Sequence, residues 1–268
     1  MLIPSMIVIL AFADSSSDSS AAADRARQAW ARQQYAEAQA GFHTAAEDAR
    51  AAANDSAALE YTRLEAAVQR DSGNAAAAEV LLAGTGGDFA KAHGENAPEL
   101  AAIWEDMALL ERFQGHPEAA APLLEKAIAI REPHPDPALA RDITAEAMLQ
   151  GQLGHHDLVI DLLKHAVAVW DTASPGDPQS LAALDALAAA YRDQSRYDDA
   201  EPLLERSLCM REALFGPDSA DLISAVDSLA YVQFGRGRLP EAEALYDRLL
   251  ALWQKNAAPN HPMVALTL

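Results

Sequence analysis

Tyr191-Arg-Asp-Gln-Ser-Arg-Tyr-Asp-Asp-Ala-Glu-Pro-Leu-Leu-Glu-Arg-Ser-Leu208, followed by Arg211-Glu-Ala-Leu-Phe-Gly-Pro-Asp218, is the stretch from which the fold can be read. Before it, Leu181, Leu184, Leu187, Ala188 and Tyr191 recur every three or four residues, and within it so do Ala200, Leu203, Leu204 and Leu208. This is the period of a helix and not the alternation of a strand. Ser195 falls between the two periodic runs, where a tight turn is needed, and Gly216-Pro217 stops the second run. The segment therefore predicts helix, turn, helix. The pattern returns 42 residues later as Leu229-Ala230, Gly237, Leu239, Ala242 and Leu245-Tyr246, and Pro217 and Pro259 keep the same offset.

Working outward, the turn position extends back from Gly237 and Ser195 through Gly154, Gly115, Gly73 and Gln33, at intervals of 42, 41, 39, 42 and 40 residues. Six units fit the chain, the expected mark of a repeat architecture. Seven residues before each turn stands alanine, at Ala26, Ala66, Ala108, Ala147, Ala188 and Ala230. Five after it stand Ala38, Ala78, Ala120, Val159, Ala200 and Ala242, and eight and nine after it a leucine-rich pair that only the first unit replaces, with Gly41-Phe42. Small residues on both helices of a hairpin let their axes approach to the short end of the usual 8–10 Å range. Pro133-His-Pro-Asp-Pro137 and Pro175-Gly-Asp-Pro178 punctuate the units. One run disagrees with the pattern: Gly84-Thr-Gly-Gly87 predicts a break after Leu82, with the helix resuming near Asp88.

At these residues the sequence resembles the tetratricopeptide repeat family, and within it the longer repeat of kinesin light chains and many bacterial scaffold proteins. The resemblance spans about residues 22–268: two degenerate repeats over 22–95, four clear ones over 96–258, and a capping or truncated helix beginning at 259–268. It implies an all-α, right-handed superhelical solenoid of about six helix-turn-helix repeats, whose first helices line a concave groove for an extended peptide or protein segment. Carried over by offset from the turn, the groove stations are Glu105, Thr144, Asp185 and Asp227, then Leu109, Met148, Ala189 and Tyr231, then Arg112, Gly151, Arg192 and Phe234. Carboxylates stand at three of the four places where the resembled repeats usually carry asparagine. They suit backbone amides or Lys/Arg side chains of a ligand, with Tyr231 and Phe234 as an apolar anchor. As solvated charges partly paired with Arg112 and Arg192 they would contribute little individually. The implied activity is that of a non-catalytic scaffold or adaptor. The alternatives are a regulator sensing a peptide or small ligand, or the interaction arm of a longer protein with an effector domain.

Composition agrees with a helical chain that binds proteins. Of 268 residues 50% are hydrophobic but only 6% aromatic, so the core is built from small and aliphatic side chains. A formal charge of −20 opposes nucleic acid and anionic membrane surfaces as partners. The uncharged apolar run at residues 2–13 is too short to span a bilayer. Its Ala11-Phe12-Ala13 ending reads as a signal peptide over 1–13, followed by a Ser/Asp-rich linker over 14–21. Export to a periplasmic or extracellular site follows, without membrane insertion of the mature chain. No Lys or Arg precedes the run, as it should in a signal peptide, and the other reading is a cytoplasmic protein. No enzyme and no cofactor is expected. Gly84-Thr-Gly-Gly-Asp88 lacks the strand and the Gly-Lys-Ser/Thr of a phosphate loop. Asp157, Asp161 and His165 share a helix face without a metalloprotease motif. The lone Cys209 is expected to be packed in the core, as are the four scattered tryptophans.

Overall fold

The structure, a computed structural model, describes residues 21–256. The signal peptide expected over 1–13, all of the linker but Ala21, and the helix expected over 259–268 lie outside the described residues. Among the described residues there are twelve α-helices and no strand. They are α1 (Ala21–Ala31), α2 (Tyr35–Ala51), α3 (Asp55–Asp71), α4 (Ala75–His93), α5 (Pro98–Gln114), α6 (Pro117–Arg131), α7 (Pro137–Gln152), α8 (His156–Ala173), α9 (Leu181–Asp193), α10 (Tyr197–Phe215), α11 (Ile223–Gly235) and α12 (Leu239–Asn256). Short 3₁₀ turns, Pro178–Ser180 and Ala220–Leu222, lead into α9 and α11. The chain divides into two compact units, one ending at Pro133 and one beginning at His134.

Each unit is built of three hairpins, and one turn motif recurs in all six. The anchor residues Gln33, Gly73, Gly115, Gly154, Ser195 and Gly237 all have positive φ, between 56° and 87°. In each, the anchor N–H donates to the carbonyl three residues back and the following N–H to the carbonyl five residues back, as in Ser195 N to Arg192 O at 2.8 Å and Arg196 N to Tyr191 O at 2.8 Å. This left-handed closure satisfies helix-end carbonyls that would otherwise be orphaned. Four anchors are glycine, the residue that adopts positive φ without steric cost.

The alanines mark the places where the helices of a hairpin meet. Those seven before the anchors are at most 2% exposed, and so are the five alanines that stand five after. In the first unit the Gly41-Phe42 exception is one of shape: a Cβ on Gly41 would lie 2.8 Å from the Ala26 Cβ, and Phe42 is fully buried beside it. In the N-terminal unit a core around Trp30, Phe42 and Tyr61 joins α1 to α3, and one around Leu82, Leu100 and Ile103 joins α3 to α5. In the C-terminal unit a single core runs from Ala147 to Leu252. Trp30 and Trp170 are core residues as expected, whereas Lys126 Nζ lies 4.7 Å from the centre of the part-exposed Trp104 ring.

Two expectations fail. The helix is not interrupted at Gly84-Thr-Gly-Gly87; α4 runs unbroken from Ala75 to His93. Its apolar face passes through Leu82, Gly86 and Phe89, and Gly86 lies against Ile103, so burial of that face holds the helix together across three glycines. Cys209 is exposed on α10, not packed in the core.

Candidate functional site

In the C-terminal unit the first helices of successive hairpins, α9 and α11, flank a cavity of about 220 Å³. Asp185, Ala189 and Arg192 line it from α9, and Ser224, Ala225 and Ser228 from α11. Asp185 is held in place from the second helix of its own hairpin: Ser207 Oγ donates to its Oδ1 at 2.6 Å, and Arg211 pairs with its other oxygen. Ser207 is fully buried, while the Asp185 side chain keeps 38% exposure. A carboxylate so fixed retains lone pairs for a ligand N–H.

Asp227, on α11, is exposed and makes no hydrogen bond or ion pair among the described residues. Burial, and then the charge of Asp227, push the Tyr246 hydroxyl of α12 above the usual tyrosine range. Tyr231 is 48% exposed; its ring stands edge-on to Tyr197 at 6.3 Å, and the Arg192 guanidinium lies 5.8 Å from its centre. Phe234 is 59% exposed. Asp185, Arg192, Asp227, Tyr231 and Phe234 thus share the α9–α11 pair, presenting acid, cation and ring.

The other predicted stations divide. Met148, 43% exposed, borders a second cavity between α7, α8 and α9. Thr144 is a correction: it is 6% exposed, and its hydroxyl donates to the Ala140 carbonyl at 2.7 Å, so it offers a ligand nothing. In the N-terminal unit, Glu105 accepts from Arg131 Nη2 at 3.2 Å, and Leu109 and Arg112 are exposed on the same helix, α5. Glu105 and Asp185 are therefore paired, though not with Arg112 and Arg192 as the alternative reading had it, while Asp227 is not. Their partners, Arg131 and Arg211, each lie 26 residues downstream on the second helix. That shared offset is the sequence signal that could have found them. One unit earlier the same station is Arg63, bonded to Asp106 at 2.5 Å. Burial opposes its charge, but Asp106 and its neighbours outweigh this and hold the guanidinium above its ordinary value. No group of three or more His, Cys, Asp or Glu suited to a metal ion occurs among the described residues, and no helix there is long and apolar enough to cross a membrane.

Repeated hairpins that bury small residues on a fixed register, with a variable face on the first helices, define a helical-repeat protein. Residues 180–221 and 222–262 each match the tetratricopeptide repeat family, so these two units are tetratricopeptide repeats, and the remaining hairpins share their fold. Among solved structures, BtubC (BKLC) from P. vanneervenii is similar at 21% identity, with 84% of this chain and 94% of that one covered and a TM-score of 0.70. A kinesin-light-chain protein of nearly identical TPR-like repeats from Podosopora anserina is similar at 22% identity, covering 74% and 95%, with a TM-score of 0.61. YrrB, described as a TPR protein with an unusual peptide-binding site, is similar at 13% identity, covering 77% and 89%, with a TM-score of 0.54. No curated protein matches the chain. The fold is one commonly used as a protein–protein interaction scaffold and generally not as an enzyme.

Proposed function

We propose that the protein is a non-catalytic scaffold that holds an extended, cation-bearing segment of a partner protein in the α9–α11 groove. The observation that carries this reading is a pair of carboxylates in different states. Asp185 is fixed by Ser207 and Arg211 as a rigid acceptor, and Asp227 stands open beside the exposed rings of Tyr231 and Phe234. Pre-set acceptors lose little freedom when a ligand arrives, and charge-assisted hydrogen bonds are the stronger kind. The chain's charge of −20 favours cationic segments on approach.

The test is affinity capture of partners from the native compartment, followed by calorimetry with the captured segment. Asp227→Lys is expected to weaken binding at least tenfold and to flatten its salt dependence, with unchanged helical circular dichroism. Asp185→Lys adds to this at the cost of the Arg211 pair. Undiminished affinity in the double variant Asp185→Lys/Asp227→Lys would exclude this groove.

A further inference from the structure

One repeat before the α9–α11 contact, α7, α8 and α9 border a cavity of about 630 Å³, where three groove offsets, Met148, Gly151 and Ala189, come together. Gly151 and Val159 line it from α7 and α8, and Ala186, Ala189 and Ala190 from α9; His156 and Asp193 stand among the lining residues as polar groups. Its size lies within the range of ordinary ligand sites.

The next repeat shows what fills such a space. By offset from the turn, His156, Ala189 and Gly151 correspond to Tyr197, Tyr231 and Arg192. There the Tyr197 ring lies so close to α11 that a Cβ on Gly235 would sit 2.6 Å from its Cε2, Tyr231 stands edge-on to it, and Arg192 lies over Tyr231. Two rings and a guanidinium therefore occupy the place that, between α7 and α9, Gly151, Ala189 and an outward His156 leave open, with Asp193 standing where the next repeat has Gly235. The open slot adjoins the groove, since Ala189 lines both cavities. Its acid, Asp193, is 72% exposed and accepts from Arg192 Nη2 at a long 3.4 Å, and Asp157, next to His156, is exposed too.

We infer that this slot receives an aromatic side chain of the bound segment, a tyrosine or phenylalanine next to an arginine or lysine, so that the ligand supplies the ring and cation that the next repeat supplies from its own chain. The inference deepens the groove reading and rests on it for the path of the segment. Ring and cation together gain both apolar burial and a cation–π contact, and the exposed Asp157 and Asp193, the latter exchanging its long contact with Arg192, offer the cation complementary charge.

The probe is the dipeptide N-acetyl-Tyr-Arg-amide, titrated into the full chain carrying ¹³C-methyl methionine. The chain has six methionines, and Met148→Leu assigns the signal. The Met148 methyl is expected to shift saturably with N-acetyl-Tyr-Arg-amide and at least tenfold more weakly with N-acetyl-Ala-Arg-amide. Ala189→Tyr, which installs the residue of the next repeat, is expected to abolish the shift; Gly151→Leu, filling the slot from α7, is the second variant should the first not fold. No Met148 response at millimolar dipeptide, or an equal response in a folded, filled variant, overturns the inference. The two readings fail separately: Asp227→Lys reports on the groove, and the Met148 methyl on the slot.

Discussion

Alanine at Gly84 and Gly87 should stabilise the protein, although a glycine-rich run ordinarily marks a loop. Both lie inside α4 with nothing within 4 Å of the Cβ each would gain, so the substitution adds no clash. In a helix interior each exchange is worth about 1 kcal/mol through the freedom that glycine loses on folding. The double variant Gly84→Ala/Gly87→Ala should therefore gain roughly 1.5–2 kcal/mol, a rise of about 4 °C or more in the melting midpoint of the unit that contains it. Gly86 is the internal control, because its Cβ would come 3.1 Å from Cγ2 of the fully buried Ile103. That packing conflict offsets the helix gain, so Gly86→Ala should be neutral or destabilising. Urea unfolding followed at 222 nm measures all three, with an unchanged m-value confirming that only stability has moved. A double variant no more stable than the parent, or a Gly86→Ala variant that gains as much as Gly84→Ala, would refute the unbroken helix and restore the break expected after Leu82.

Ser195 and Gln33 hold φ of 56° and 60° where four other repeats use glycine, so Ser195→Gly and Gln33→Gly should each stabilise by about 1 kcal/mol, measured by the same unfolding series. Gly235→Ala should cost about 1–3 kcal/mol through its clash with Tyr197, and most of that loss should vanish in Tyr197→His, which installs the residue of the preceding repeat; a double-mutant cycle reads the coupling. Tyr246 keeps its proton in the native state to higher pH than in the unfolded chain, so its contribution to stability holds below the ordinary tyrosine range and is lost as pH rises from there through the raised native value. Absorbance at 295 nm should show a late-ionising tyrosine that Tyr246→Phe removes and Asp227→Asn brings earlier.

The repeat register was legible in the sequence because its constraints are local. A positive-φ turn and small residues at fixed distances from it appear as letters, and the anchors found by offset prove to be the left-handed residues. The Gly84–Gly87 break was misread because propensity describes an isolated helix, whereas α4 is held by Leu82 and Phe89 buried on its neighbours. Cys209 was misread for the complementary reason: a helical period fixes which residues share a face, but one residue's place at the edge of the stripe depends on how the next helix sits. Thr144 occupies the same register station as Asp185, yet it turns its hydroxyl onto its own helix, which offset alone does not encode. The partners of Glu105 and Asp185 lie on the second helix of each hairpin, which the offsets of the groove face do not reach.

The repeats thus separate two tasks by position. Seven before every turn, and five after all but the fourth, where Val159 is part-exposed, the side chain is a buried alanine, so these places carry the stack and have little freedom to vary. Six before and two after, the side chain lies where adjacent hairpins meet the groove, and there the chain alternates between filling and leaving open: Tyr231 with Tyr197 in one repeat, Ala189 with His156 in the one before. Exchanging those two pairs leaves the buried alanines untouched, so it should move ligand preference from one junction to the other at little cost in stability. On the proposed function, recognition would follow the pattern of occupied and vacant places at these junctions, with the exposed Asp227 and fixed Asp185 setting the charge of the segment that lies across them.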